Sequence, residues 1–232
     1  MLDGTSQSLA GIRLLADLPE DELVRLSKAC SWRQFAAQDQ IIDRDSESRD
    51  VFFIVTGRVR IGNYSLSGRE ITLDDISAGS HFGELSAIDG HPRSASVVAL
   101  DGCLLASISP ERFATLCAEY PEVALRVMRS LATIVRLSNE RIMDLSTLAA
   151  NNRVHAELLR QAKEHMVGDG RAEISPIPVH SDVASRVSTT RETVARVMGD
   201  LAKRDLVRRE KDTLVVMNVE ALEDMVDEVK GE

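Results

Sequence analysis

The sequence predicts an α+β protein with a strand-rich N-terminal part and a largely helical C-terminal part. From Trp32 to Ile108, short apolar runs are separated by turn residues, a pattern typical of an all-β barrel or jelly roll. Proline then starts an unusually long helical stretch, Pro121 to Ala150. Farther on, Val179 to Leu206 predicts two helices joined by a tight turn, and a β-hairpin follows them.

Five runs are the clearest predicted strands of the N-terminal part. They are Ile41-Ile42, Val51 to Val55, Val59 to Ile61, Ile71 to Leu73 and Ser96 to Ala99. A helix is predicted before them, from Pro19 to Cys30, because leucines recur there at helical spacing. Another helix, Arg153 to Val167, is predicted to begin at a cap formed by Asn151-Asn152 and to end at Gly168-Asp169-Gly170.

The composition argues against several classes of protein. The 232 residues contain no apolar run of the ~18 needed for a membrane span, and the N-terminus lacks the pattern of a signal peptide. Cys30, Cys103 and Cys117 are scattered, which favours reduced thiols in the cytoplasm over a disulfide framework, a zinc site or an iron–sulfur cluster. Because no nucleophile–base pattern or metal-ligand set is present, we expect neither an enzyme nor a metal site.

The stretch Phe82 to Ala95 combines groups that suit a phosphate next to a ribose. Gly83 allows close approach of the backbone to a ligand. Arg93 and Ser94 supply donors for phosphate oxygens, and an ionised Glu84 can only accept, which suits a sugar hydroxyl. The alternative is a surface turn at Asp89-Gly90 with an ordinary ion pair nearby.

The full stretch resembles the phosphate-binding cassette of cyclic-nucleotide-binding domains. The resemblance implies that Glu84 takes the ribose 2′-OH, and that Arg93 and Ser94 take the cyclic phosphate. Ile61 and Leu73 match the apolar pocket wall of that family. The nucleotide-binding residues expected in the N-terminal part are Ile61, Leu73, Gly83, Glu84, Leu85, Arg93, Ser94 and Ala95.

The long helix carries a heptad pattern of mostly apolar residues. The positions are Ala124, Met128, Leu131, Val135, Ser138, Ile142, Leu145 and Ala149, at alternating steps of four and three. This spacing is that of a two-stranded coiled coil and predicts a homodimer. A helix packed against its own barrel would show the same periodicity and is the alternative.

The polar pair Ser138-Asn139 interrupts that pattern. A polar residue at such a position can simply fix the register of a coiled coil. The pair also resembles the Thr-Ser or Ser-Asn pair on the dimer helix of the bacterial catabolite activator family. That resemblance implies that one residue meets the base held in its own subunit, and the other meets the base held by the partner.

The two predicted helices near the C-terminus carry a local excess of positive charge in an acidic chain. The chain has a formal net charge of −9, whereas residues 186–211 hold eight basic and four acidic side chains. Thr189 and Thr190 are equally suited to cap the second helix, Arg191 to Arg204. Arginine can bind guanine bidentately and glutamate can accept from cytosine, so the start of this helix could read bases. A solvated charged face is the alternative.

The string Thr190 to Arg196 resembles the recognition helix of the catabolite activator, whose arginines and glutamate read a TGTGA half-site. The expected DNA-binding residues are His180, Ser181, Thr189, Thr190, Arg191, Glu192 and Arg196. Ser188 stands in the turn where that family usually has glycine, which predicts a left-handed backbone there. After the helix, Leu206 to Arg209 and Thr213 to Met217 predict a wing hairpin that turns at Lys211-Asp212.

Three motifs in consistent order therefore identify a resemblance to the catabolite activator and fumarate–nitrate regulator superfamily. The implied fold is an N-terminal β jelly-roll cyclic-nucleotide-binding domain (1–120), a dimerisation helix (121–150) and a C-terminal winged helix-turn-helix (151–232). The implied ligand is cyclic AMP or cyclic GMP, and the implied partners are palindromic double-stranded DNA, a second copy of the chain and RNA polymerase. Three alternatives remain: gating by haem through His81 or His91, ligand-independent DNA binding, and a nucleotide-binding regulatory subunit.

Overall fold

The computed structural model describes residues 7–65, 68 and 70–230 and divides the chain into two compact units. The first unit extends to Thr133 and the second begins at Ile134, so the division falls within the long helix α4, Pro121–Thr147. None of the helices in the described ranges is both long and apolar enough to cross a membrane.

The first unit is built around two antiparallel sheets of four strands each. Its strands are β1 Ser31–Phe35, β2 Gln40–Ile42, β3 Val51–Thr56, β4 Arg58–Tyr64, β5 Glu70–Ser77, β6 His81–Phe82, β7 Ser96–Ala99 and β8 Cys103–Ile108. One sheet has the order β1-β8-β3-β6 and the other β2-β7-β4-β5. Neighbours in each sheet are mostly distant in sequence, which is the connectivity of a jelly roll. The predicted jelly roll is confirmed.

Both faces of the first sheet are buried. Ile54 and Leu105 face the second sheet and share a core with its Val59 and Val97. Phe53, in contrast, belongs to a separate apolar cluster that the surrounding helices complete. Those helices are α1 Glu20–Ala29, α3 Pro110–Glu119 and the first turns of α4. The sheets thus form a rigid support for the connection between β6 and β7, where the cassette lies, together with the short helix α2, Glu84–Asp89.

The second unit contains the remaining helices and one further four-stranded sheet. Its elements are α5 Ala150–Glu164, β9 Met166–Gly168, β10 Arg171–Ile174, α6 His180–Arg186, α7 Arg191–Lys203, β11 Val207–Glu210, β12 Thr213–Val216 and α8 Val219–Lys230. The sheet order is β11-β12-β10-β9. Val154, Val194 and Leu222, from three different helices, meet in its core. The predicted helix pair and wing hairpin are confirmed.

The start and end of α5 differ from the sequence prediction. Asn151 and Asn152 lie within the first turn of the helix and do not cap it, because Ala149 with its extended backbone precedes the first turn. The helix ends at Glu164, since the chain then pairs back on itself as the hairpin β9–β10. Strands of three and four residues are too short for their alternation to be seen in the sequence.

Candidate nucleotide pocket and DNA-reading helix

Arg93 is buried, 3% exposed, and its guanidinium is held in place by the surrounding chain. Nη1 donates to the Gly83 carbonyl at 2.8 Å, Nη2 donates to the Asp50 carbonyl at 2.7 Å, and Nε donates to Ser48 Oγ at 3.2 Å. Its Cζ lies 5.9 Å from the ring centroid of Phe52, which stacks on Phe82. No carboxylate among the described residues forms an ion pair with this arginine. The three groups that accept hydrogen bonds from Arg93 are therefore all neutral, while Asp50 and Glu84 act on its charge only through space.

Position 83 has no room for a side chain, so only glycine fits there. Its φ is +86°, and it precedes the first turn of α2. A Cβ there would lie 2.7 Å from Arg93 Nη1 and 2.8 Å from the Asp50 carbonyl oxygen. Glycine is required both by the left-handed backbone and by the close approach of the arginine. The predicted proximity of Gly83, Glu84 and Arg93 is thus present in the structure.

Glu84 is also buried, 7% exposed, at the start of α2. Burial raises the pKa of its carboxyl above the ordinary 4.5, although its own backbone amide and the charge of Arg93 act in the opposite direction. In the unfolded chain the group ionises at its ordinary pKa. Ionisation therefore costs folding free energy as the pH rises from that ordinary value through the raised one, and the cost is complete above it.

Glu84→Gln is expected to raise the melting temperature of the ligand-free protein by a few degrees near neutral pH, because the buried charge is removed. At about pH 4, where the carboxyl is largely protonated in both states, the difference should disappear. Thermal unfolding followed by circular dichroism at both pH values measures this. Glu47→Gln, at an exposed carboxylate of the same unit, is the matched control. An equal gain at both pH values would contradict the argument.

The other predicted cassette residues line the same segment with different exposure. Leu85 is 39% exposed on α2, Ser94 is exposed, and Ala95 is buried just before β7. The Asn63 amide nitrogen on β4 donates to the Ser94 carbonyl at 3.3 Å. Asn63 Oδ1 is buried and has no hydrogen-bond partner among the described residues. An acceptor thus stands unused next to the predicted phosphate-binding serine.

Ile61 and Leu73 are placed by an irregularity between β4 and β5. Ile61 pairs with Asp74, whereas Gly62 pairs with Thr72, so Leu73 is the extra residue of a β-bulge. Ile61 packs against the core between the sheets, and Leu73 is 39% exposed. Ser138 and Asn139 are exposed on α4, in the part of the chain that belongs to the second unit.

The two helices α6 and α7 are joined by the turn Val187 to Thr190. Thr190 is the cap of α7, since its Oγ1 accepts from the Thr193 amide at 3.2 Å. Ser188 has a φ of +50°, so the predicted left-handed backbone is confirmed at a residue other than glycine. Val194, Val197 and Leu201 bury one face of α7 in the core of the unit.

The opposite face of α7 presents the predicted base-reading residues. Arg191, Glu192 and Arg196 are all exposed. The amide of Glu192 and the Thr190 hydroxyl keep the pKa of the Glu192 carboxyl below its ordinary value, so it is ionised at neutral pH and can only accept. Arg196 Nη2 donates to Asn151 Oδ1 of α5 at 3.0 Å. His180 and Ser181 begin α6, and Thr189 lies in the turn.

Comparisons with known proteins match both units. Residues 32–120 match the model of the cyclic nucleotide-binding domain, and residues 152–225 match that of the Crp-like helix-turn-helix domain. The cyclic AMP receptor protein of Thermus thermophilus is 32% identical over 175 residues, which span 75% of this chain and 78% of that protein. The chain belongs to the CRP/FNR family.

Further relatives agree with this membership of the CRP/FNR family. A CRP-like cAMP-activated global transcriptional regulator from Mycobacterium tuberculosis is 28% identical over 173 residues, or 74% of this chain and 77% of that protein. The solved structure of a CooA variant from Carboxydothermus hydrogenoformans covers 92% of this chain and 95% of its own, with a TM-score of 0.81 at 20% identity, and shares the fold. This CRP/FNR protein is a DNA-binding transcription regulator with a cyclic-nucleotide-binding domain.

The histidines and cysteines of this CRP/FNR regulator do not come together. His91 is exposed next to Asp89, whereas His81 is half-buried on β6, where desolvation and the charge of Arg13 lower its pKa to about 4. Burial raises the pKa of Cys30 to about 11 and also raises the pKa of Cys103 and Cys117. In the described part of the chain, no group of three or more His, Cys, Asp or Glu side chains could hold a metal ion.

Sequence reasoning missed Asn63 at the cassette and Asn151 beside Arg196. Asn63 lies just past a predicted apolar strand run, and an isolated asparagine there is a weak sign of a polar wall. Asn151 was interpreted only as a helix cap. Both contacts join residues that are distant in sequence. Asn63 and Ser94 are 31 positions apart, and Arg196 and Asn151 are 45 positions apart.

Proposed function

We propose that this regulator is a homodimer that binds palindromic DNA with TGTGA half-sites when cyclic AMP or cyclic GMP occupies its jelly roll. The observation that carries the proposal is the buried Arg93 without a carboxylate partner. Burial lowers the pKa of Arg93, although the charges of Asp50 and Glu84 oppose this effect, and an anionic ligand offsets the cost of burying the guanidinium. The names of the relatives, which include a cAMP-activated regulator and a cyclic AMP receptor protein, support a cyclic nucleotide as that anion.

Each cassette residue contacts a particular part of the nucleotide in the proposed complex. The three hydrogen bonds of Arg93 use three of its five N–H groups, and the remaining two face a phosphate in our proposal. Ser94 donates its hydroxyl to the same phosphate. The ionised carboxylate of Glu84 accepts from the ribose 2′-OH. Asn63 Oδ1 accepts from a donor on the ligand, which satisfies its buried oxygen.

In the proposed complex, Ser138 and Asn139 contact the base of the nucleotide. Asn139 can both donate and accept, so it suits the edge of either adenine or guanine. The resemblance of this pair to that of the catabolite activator family supports the assignment, with one residue acting within its own subunit and the other acting on the base of the partner. Ile61 and Leu73 supply apolar wall and do not discriminate between the bases.

A homodimer is supported by the surface of α4. Met128, Val135 and Ile142 are seven positions apart and are 55%, 58% and 59% exposed, although they are large and apolar. Leu145 is 47% exposed on the same seam. An apolar stripe of this length on one helix is the surface that a second copy covers in a coiled coil.

Val135→Glu combined with Ile142→Glu is expected to convert the dimer to a monomer, because four like charges would meet across the seam. Light scattering coupled to size-exclusion chromatography measures the mass against the 25.5 kDa of one chain. Thr133→Glu, on the outer face of the same helix, should leave the dimer intact. A doubly substituted protein that keeps the dimer mass would exclude this seam as the interface.

Binding of the nucleotide acts on DNA through α4 in the proposed mechanism. In this structure α4 ends at Thr147, and the chain is interrupted at Leu148-Ala149 before α5 begins. The bound ligand favours a form in which α4 is straighter or longer past this break. In that form, the two α7 helices of the dimer lie about one DNA turn apart, roughly 34 Å. A ligand acts in this way only if it binds the DNA-competent form more tightly.

The test is a titration of a duplex containing TGTGA and TCACA half-sites, read by fluorescence anisotropy, without ligand and with saturating cyclic AMP or cyclic GMP. We expect at least one nucleotide to tighten binding about tenfold or more, as for a coupling free energy of 1–3 kcal/mol. Equal affinity in all three conditions would exclude gating by these nucleotides. DNA binding without any nucleotide effect would instead support a regulator of the same fold that is gated by haem or by no ligand.

A DNA-bound regulator acts on transcription through the transcription machinery, and we propose RNA polymerase as its protein partner.

The DNA contacts proposed for α6, the turn and α7 are those of His180, Ser181, Thr189, Thr190, Arg191, Glu192 and Arg196. Their position at the start of two helices joined by a turn supports this assignment.

A further inference from the structure

Arg153, on the first turns of α5, connects two parts of the second unit that are distant in sequence. Its Nη1 donates to the Leu148 carbonyl at 2.8 Å, where α4 has just ended. Its Nε donates to the Val187 carbonyl at 2.9 Å and its Nη2 to the Ser188 carbonyl at 3.1 Å, both in the turn before α7. One planar guanidinium thus holds the end of α4 and the DNA-reading turn together.

The three carbonyls are ones that the local backbone leaves without partners. The last carbonyls of a helix have no intrahelical donor, and Leu148 and Val187 immediately follow the last residues of α4 and α6. Ser188 holds a φ of +50°, a conformation that a residue with a side chain adopts only when its surroundings enforce it. Arg153 is half-buried, so its hydrogen bonds to these carbonyls are partly shielded from water.

A second polar connection runs alongside the first. Arg160 of α5 binds Asp144 of α4 at 3.2 Å and also binds Glu157 on its own helix. Glu157, whose side chain is 3% exposed, lies 3.8 Å from Arg186 of α6. The end of α4 is thus linked through α5 to α6 by a chain of charge-assisted contacts.

We propose that Arg153 is a positioning residue that fixes the DNA-reading turn to the end of α4, so that a displacement of that end moves α7. This inference deepens the proposed function, because it names the residue through which α4 acts on the recognition helix. It does not depend on which ligand moves α4. Arg153 itself contacts neither base nor nucleotide in this role.

The primary test is amide hydrogen exchange of the free protein, without nucleotide or DNA, so that it stands even if the proposed ligand is wrong. Arg153→Met is expected to speed exchange roughly tenfold or more both at residues 143–150 and at residues 186–190, since bonds to a charged donor are lost at both places. Lys163→Met is the matched control on the same helix, where the lysine binds Glu223 of α8 and not the turn. Faster exchange at only one of the two segments, or at neither, would overturn the link.

Two further variants separate a link from a local support of the turn. Ser188→Gly removes the strain of the left-handed residue, so it should restore the turn of Arg153→Met if the arginine only supports that turn. We expect instead that the faster exchange at residues 143–150 persists in the double variant. Full restoration would overturn the proposal. If Arg153→Met does not fold, Arg153→Lys is measured, and retention of wild-type exchange at both segments would likewise overturn it, because one ammonium nitrogen cannot occupy the three positions from which the guanidinium nitrogens donate.

Discussion

Arg93→Ala is expected to lower the affinity for cyclic AMP and cyclic GMP by about 100-fold or more. Two charge-assisted hydrogen bonds to the phosphate, each worth roughly 1.5–3 kcal/mol, are lost together with the charge. Arg93→Lys keeps a positive charge without the planar fork, so its affinity should fall between the two. Isothermal titration calorimetry with both nucleotides measures the change.

The same substitution should also destabilise the ligand-free jelly roll by about 1–3 kcal/mol, because the buried carbonyls of Gly83 and Asp50 lose their donor. Chemical denaturation separates this effect from the loss of binding. Arg58→Ala is the control, since Arg58 lies on β4 and pairs at the surface with Asp101. Wild-type nucleotide affinity in a folded Arg93→Ala protein would show that the phosphate lies elsewhere.

Arg196→Ala is expected to weaken binding to the TGTGA duplex by about 10- to 100-fold and to relax the preference at one base pair. A bidentate contact between arginine and guanine is worth roughly 1–3 kcal/mol of discrimination. Binding to an unrelated duplex should change little. Anisotropy titrations against duplexes with single base-pair changes in the half-site measure both effects.

Lys203→Ala is the matched control for Arg196, because Lys203 is an exposed cation at the other end of α7. It should affect all duplexes alike, as a contact to phosphate or to water would. If Arg196→Ala also reduced the affinity for every duplex by the same factor, Arg196 would be a phosphate contact. The bond from Arg196 to Asn151 would then keep the arginine away from the base edge.

Local patterns predict much of the fold, whereas the roles expected of the residues at both candidate sites come from the family resemblance. Gly83 stands out in the sequence because glycine allows close approach of the backbone, and Ser188 stands out because the resembling family usually has glycine in that turn. The buried face of α7 follows helical spacing, since Val194, Val197 and Leu201 all lie in one core. The wing turn at Lys211-Asp212 is predicted by the two strand-like runs that flank it, and Lys211 has a φ of +53° there.

The contacts that the sequence did not reveal join residues far apart in the chain. Arg153 binds carbonyls 34 and 35 positions away, and backbone acceptors leave no trace in the sequence because every residue has one. The bond from Asn63 to the Ser94 carbonyl is hidden in the same way, because its acceptor is also a backbone carbonyl. The short strand β6 is not predicted because two residues cannot show an alternation. In the structure, its Phe82 pairs with Phe52 of the neighbouring strand β3. Tertiary contacts determined these features.

The cysteines of this regulator have a consequence for its behaviour under oxidative stress. Only a thiolate attacks peroxides, disulfides or electrophiles at a useful rate. Burial raises the pKa of Cys30 to about 11, so its thiol stays protonated at neutral pH. Cys103 is further restrained because its Sγ donates to the Arg58 carbonyl at 3.2 Å. We therefore expect Cys30 and Cys103 to react slowly with peroxide at neutral pH.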